Sequence, residues 1–260
     1  MGVSEKLLYL DKSSWFLGDA NHMTDVFVKT APQGVPEPVA AMPFAGLQVR
    51  RPRERLLESI LGVSGEVGYE NVTVKLVLER AQTSRATFYK NFKSKEDCFV
   101  QAYEEATEWL YRRLLTLASR QPGWRDGLRV GLAELLEFCA NQPATAKALF
   151  IEPHAAGGQA LAQHDRLMDR LAGVIDGARM QAGTRTSPPP RTSAFMVGAI
   201  ETLITAKISD DEAASAPDLL PGILHFFVMQ YFGKDAAWEE MTSAPVATWN
   251  ARRQTASEAP

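Results

Sequence analysis

From Arg51 onward the apolar residues fall at helical spacing, and short polar interruptions cut that pattern into separate pieces. Leu56, Ile60, Val63 and Val67 follow one another three or four positions apart, with Leu57 and Leu61 beside them, as in a helix with one buried face. "GYEN" stops that helix, with Gly68 at its C-terminal end. Thr73 is a suitable N-cap for a second helix whose inner face is Val74, Val77, Leu78 and Ala81. "QTS" then turns the chain sharply, Ser84 caps a very short third helix with Phe88 turned inward, and Phe92 closes it. Ser94 opens a fourth helix, and Asp97 is placed to complete a capping box with it. Phe99, Tyr103, Ala106, Leu110, Leu114 and Leu117 form the stripe of this long helix until "QPG" at 121–123. Further helical patterns cover 125–140, 143–151 and 159–181, and the linker "GTRTSPPPR" leads to two apolar helices at 191–209 and 217–232. No repeat appears and no segment alternates as a strand does, so the chain is expected to be all-α.

Several chemistries are excluded by what the pattern lacks. Cys98 and Cys139 stand far apart with no CxxC, and His22, His154, His164 and His225 show no ligand spacing. There is no H-E-x-x-H, no Gly-rich phosphate loop and no nucleophile elbow, so no catalytic residue, metal or cofactor is expected. Both cysteines fall in apolar helical patterns and read as packing residues. No apolar run approaches the roughly eighteen residues that cross a bilayer. The opening "MGVSEKLLYLDKSSW" lacks the cationic start and apolar block of a secretory signal. A cytoplasmic, nucleoid-associated protein without a membrane partner is the expectation.

Charge is distributed unevenly. The whole chain carries −3, but residues 50–95 hold ten Lys/Arg against five Glu. That stretch is therefore +5 and the remainder −8, a basic module on an acidic body. Within the module, two helices joined by a tight turn have the form of a helix-turn-helix, whose second helix lies in the major groove. With Phe88 inward, Arg85, Thr87, Tyr89 and Lys90 are directed outward. Arg can pair bidentately with guanine, and Thr can serve a base edge or a thymine methyl. Tyr89 and Asn91 can donate to phosphate oxygens. Thr73 and Ser94 each open a helix, where free N–H groups favour an anion, and Lys93 and Lys95 stand beside the second start. Arg50, Arg51, Arg53 and Arg55 precede or begin the first helix. They read either as a solvated basic start or as an arm adding phosphate or minor-groove contacts, for which Arg51 and Arg53 are the candidates.

The stretch "RERLLESILGVSGEVGYENVTVKLVLERAQTSRATFYKNFKSKED" resembles the DNA-binding domain of the TetR (tetracycline-repressor) family. The family pattern "GY…TTV…IA..AGVS.GT.Y.HF.SKE" is kept at Gly68, Tyr69, Thr73, Val74, Ala81, Ser84, Thr87, Tyr89, Phe92, Lys93, Ser94, Lys95 and Glu96. The resemblance is strong over residues 50–96 and beyond that rests on helix order. It implies that Thr73, Tyr89 and Lys95 hold phosphates while Arg85 and Thr87 reach base edges. Four positions depart from the pattern: Gln82 replaces the usual turn Gly, Ala86 a frequent Gly, Asn91 a His, and Leu76 the acid that would complete a capping box with Thr73. These affect which operator is read rather than whether DNA is bound.

The resemblance implies an organisation as well: a helix-turn-helix three-helix domain at 50–97, then a helical ligand-binding and dimerisation domain at 98–233. Residues 1–49 are set apart as a mostly flexible extension, and 234–260 as a loosely held polar tail. The extension carries Tyr9, Trp15, Phe16, Phe27 and Phe44, which could instead dock on the body or a partner, and translation could also begin at Met23 or Met42. The family dimerises through its last two long helices. Here Ala194, Gly198 and Ala199 would permit close approach, while Leu220, Leu224, Phe227 and Tyr231 could line a face. Trp109, Leu132, Leu135, Leu136, Cys139, Phe150, His164, Met168 and Met196 are the candidates for an inducer pocket of mainly apolar character. The expected protein is a homodimeric repressor released from a palindromic operator by a small apolar ligand. The competing expectation is an architectural or partner-controlled DNA binder without an inducer.

Overall fold

The computed structural model describes residues 51–181 and 188–243, with side chains omitted for 178–181. The extension expected at residues 1–49, the basic start at Arg50, residues 183–187 of the linker and the tail at 244–260 lie outside the described residues. Among those described there are ten α-helices and no strand.

Helix α1 (Pro52–Val67) opens on a proline, whose fixed φ suits a first turn, and Glu54 accepts from the Arg51 amide at 3.1 Å. Leu56, Leu57, Ile60 and Leu61 are fully buried, whereas Val67 at the helix end is exposed. Gly68 adopts φ 80° and turns the chain into a short 3-10 segment, Tyr69–Asn71. Helix α2 (Val74–Ala81) starts at Thr73, whose hydroxyl accepts from the Leu76 amide at 3.3 Å. Gln82 then takes a left-handed conformation, φ 48° and ψ 54°, which is where the missing turn glycine is felt. The Arg55 guanidinium braces that turn by donating to the Ala81 carbonyl at 2.9 Å. Helix α3 (Arg85–Asn91) begins at Ser84, whose Oγ accepts from the Thr87 amide at 3.1 Å.

Helix α4 (Lys95–Ser119) leaves this unit and enters the body. Its cap differs from a reciprocal box. Ser94 Oγ accepts from the Asp97 amide at 3.0 Å, but the Asp97 carboxylate reaches one residue further back, to the Lys93 amide at 2.8 Å. The body consists of α5 (Trp124–Asn141), α6 (Pro143–Phe150), α7 (Gly158–Gln181), α8 (Thr192–Ser209) and α9 (Leu220–Phe232). A 3-10 turn at Glu152–His154 joins α6 to α7, and another at Ala213–Leu219 precedes α9. One apolar cluster runs without a break from Leu56 on α1 to Tyr231 on α9. Helix α1 packs on α2, α4 and, most extensively, α6. A methyl group on Gly65 would meet the Ala144 carbonyl oxygen at 1.8 Å, so that crossing is open only to glycine.

The structure departs from two expectations. Residues 234–242 are not a loose tail: α10 (Lys234–Thr242) packs back on α9, and its Glu240 is buried between Arg125 and Arg129 of α5 at 3.0 and 2.6 Å. A charge that far from water persists when such partners replace its hydration. Second, Leu220, Leu224, Phe227 and Tyr231 face the chain's own core. With Ile223 and Val228 they form the inner stripe of α9, leaving Phe226 and Met229 on the exposed side. Because α9 is apolar all round, spacing alone did not distinguish its two faces. On α8, Ala194 and Ala199 are exposed and Gly198 is half-buried, with Phe195 (75% exposed) and Leu203 on the outer surface.

Candidate nucleic-acid interface

Helix α3 has a fixed inner side. Phe88 is fully buried and packs against Phe92 with the rings tilted, their centroids 5.6 Å apart. A short helix anchored in this way must present its remaining positions outward. Ser84, Arg85, Ala86, Tyr89 and Lys90 are exposed, and Thr87 is half-buried. The Arg85 guanidinium lies 5.7 Å from the Tyr89 ring centroid, so the two largest groups of this surface are already neighbours. Thr73 stands exposed at the start of α2, and Lys93 is exposed before α4. These groups form a basic, hydrogen-bonding surface with an arginine at the front.

Several predicted contact residues are engaged within the chain. Thr87 Oγ1 lies 3.0 Å from Ser84 Oγ, so both hydroxyls serve the helix start. Asn91 Nδ2 donates to the Thr87 carbonyl at 2.7 Å and closes the end of α3 instead of standing free. Arg53 is held by Gln101 at 2.9 Å and Glu105 at 2.7 Å, which draws it to α4 and away from an N-terminal arm; Arg51 remains exposed. Lys95 is the largest departure. Its Nζ donates to the carbonyls of Tyr69 and Val72, each at 3.0 Å, and sits 4.1 Å from the Tyr69 ring centroid. Partial burial lowers its pKa, opposed by the charge of Glu70. It therefore clamps the turn before Thr73 rather than offering a free ammonium. Ala86, which stands where the family pattern often has Gly, adds its methyl to the exposed surface.

The residues named for an inducer pocket lie together in the body, mostly as core. Leu132, Leu136, Cys139, Phe150 and Met196 are buried in the common cluster, and Trp109 and Leu135 pack against it. Met168 is half-buried. Burial pushes the Cys139 thiol up to about 12, so it stays protonated and packs as a small apolar group. His164 has a more specific place. Its Nδ1 lies 2.9 Å from Tyr103 Oη and its Nε2 2.5 Å from Glu201 Oε1, linking α4, α7 and α8. The Tyr103 hydroxyl is held well above the usual phenol range by burial, then by the charges of Glu201 and Asp165. No sequence signal announced this chain of groups, because its members lie on three helices far apart in sequence. Among the described residues no group of three His, Cys, Asp or Glu could hold a metal.

The family model for "Bacterial regulatory proteins, tetR family" matches residues 56–102, which are α1 to α3 and the start of α4. That segment, rather than the whole chain, is what resembles the tetR family. The HTH-type transcriptional repressor KstR of Rhodococcus jostii is 29% identical over 122 residues, covering 46% of this chain and 57% of that protein. The chain thus matches little more than half of its curated relative. FadR of Bacillus subtilis, solved with stearoyl-CoA, superposes with a TM-score of 0.60 at 15% identity, covering 69% of this chain and 97% of FadR. SmeT, the repressor of the SmeDEF multidrug efflux pump of Stenotrophomonas maltophilia, gives 0.57 at 18% identity over 71% of this chain and 91% of its own. At such identities the likeness is one of fold: a tetR-type helix-turn-helix followed by a helical body. No helix of the described residues is long and apolar enough to cross a membrane.

Proposed function

We propose that the chain is a sequence-specific DNA-binding transcriptional repressor, with residues 50–97 reading the duplex and 98–233 forming the body that controls it. The observation that carries this reading is α3: Phe88 fixes its back in the core, and Arg85, Tyr89 and Lys90 project from its front. Arg85 is assigned to a guanine edge, and Thr73, Tyr89, Lys90 and Lys93 to phosphates. A single helix-turn-helix offers too little contact for a strong site, and a two-fold dimer doubles it across two half-sites. Phe195 and Leu203 of α8 and Phe226 and Met229 of α9 are the groups we assign to the dimer, with Ala194, Gly198 and Ala199 allowing close helix approach. A small, mainly apolar ligand is proposed to release the DNA by favouring one of two body conformations. The apolar interior supports this, and the B. subtilis FadR structure holds stearoyl-CoA. Selection from a library of randomised duplexes tests the reading. It should return a palindromic site that binds far more tightly than its scrambled version, and recovery of no preferred sequence would reject it.

A further inference from the structure

The turn that delivers α2 to its starting point is held in part by a carboxylate from the body. Gly68, with φ 80°, ends α1 and aims the next amide, that of Tyr69, away from the helix. Glu152, 5% exposed in the 3-10 turn after α6, receives that amide on Oε2 at 2.6 Å. The other side of the same turn is gripped by Lys95, whose ammonium joins the carbonyls of Tyr69 and Val72. Tyr69 is thereby fixed at both polar groups of its backbone, and its ring lies edge-on to Phe99 at 4.9 Å. Val72 leads directly into Thr73, the N-cap of α2.

Two features make the Glu152 side of this grip responsive to the body. Its turn continues from α6, whose Ala144 meets Gly65 of α1 at backbone contact. It also contains His154, whose ring centroid is 5.4 Å from that of His164 in the Tyr103–His164–Glu201 chain. A displacement of α6 or of that polar chain would move the Glu152 backbone, and the hydrogen bond would carry the movement to Tyr69. Nothing in the family match points to Glu152, which lies 50 residues beyond its last residue, 102.

We infer that Glu152 is a positioning residue of the DNA-reading surface: its carboxylate latches the body to the Tyr69 amide and sets the entry angle of the helix-turn-helix. The inference rests on the DNA-binding reading above. A hydrogen bond to a buried charged group is among the strong ones, and loss of its acceptor strands the Tyr69 amide.

The test compares the full-length chain with Glu152→Ala and Glu152→Gln on the selected duplex and on its scrambled counterpart. Amide exchange at Tyr69 is followed in each. Glu152→Ala should bind the selected duplex about tenfold more weakly and leave the scrambled duplex unchanged, because the reading geometry is lost but not the charge. Tyr69 should exchange about tenfold faster in Glu152→Ala, and Glu152→Gln, which keeps an acceptor oxygen, should restore both properties. Glu152→Asp keeps the charge but shortens the reach, and supplies the same comparison if the alanine variant folds poorly. Selected-duplex affinity within about twofold of wild type would overturn the latch, as would an equal loss on both duplexes that Gln does not rescue. A wild-type chain that binds both duplexes equally would instead overturn the DNA-binding reading and the latch with it.

Discussion

Arg85 and Asp97 show how differently single side chains contribute in one small domain. Arg85 is exposed, rests near the Tyr89 ring and contributes little to packing. Its removal is expected to cost about 1–3 kcal/mol of specific DNA binding and to relax sequence preference, which equilibrium titration against a panel of duplexes reads directly. Asp97 acts on folding. The Lys93 amide bonded to its carboxylate, with help from the Gln101 side chain and the Lys93 charge, holds its pKa below the ordinary carboxylate value despite an opposing contribution from burial. A depressed folded-state pKa stabilises the protein above the unfolded pKa, near 3.9, and that contribution is lost as pH falls through the folded value. Asp97→Asn should therefore lower the urea midpoint at neutral pH, and the difference from wild type should shrink below about pH 4. Lys95 teaches a related lesson. Its place in a recognised motif suggested a phosphate contact, but its ammonium closes a turn through carbonyls 26 and 23 residues earlier in the chain.

The helices were legible because their signals are local. Thr73, Ser84 and Ser94 cap the helices they were expected to cap, and Gln82 sits in the left-handed turn that "QTS" implied. The packing partners of those helices were not legible. Gly65 looks in sequence like an unremarkable interruption of a helical stripe, and it is the point where α1 and α6 touch. Gly65→Ala would place a methyl against backbone that cannot rotate away. It should cost at least about 1–3 kcal/mol in a denaturant titration, an overpacking penalty. A wild-type midpoint would mean that the two helices do not cross there. The C-terminal helix α10 was missed for a similar reason: its stability comes from Glu240 meeting Arg125 and Arg129, more than a hundred residues earlier. The α9 faces were ambiguous because every side of that helix is apolar, and only its neighbours decide which residues are core.

At the scale of the molecule, a basic helix-turn-helix is joined to a helical body by a shared core, by the α1–α6 crossing and by the Glu152–Tyr69 bond. The outer faces of α8 and α9 carry large apolar groups that the proposed dimer would cover. Phe226→Lys should accordingly reduce the mass in solution from two chains to one, as light scattering would show. Phe227→Ala, one position away but buried, should instead cost about 3–5 kcal/mol of folding stability. A dimer that survives Phe226→Lys would place the interface elsewhere. Nuclease footprinting of the selected duplex tests whether α3, aimed by its core-facing Phe88, reads DNA. Two protected half-sites related by a two-fold axis are expected, lying one helical turn or more apart, with both lost on Arg85→Ala. Protection spread evenly along the duplex, or a footprint unchanged by that substitution, would contradict that role for α3.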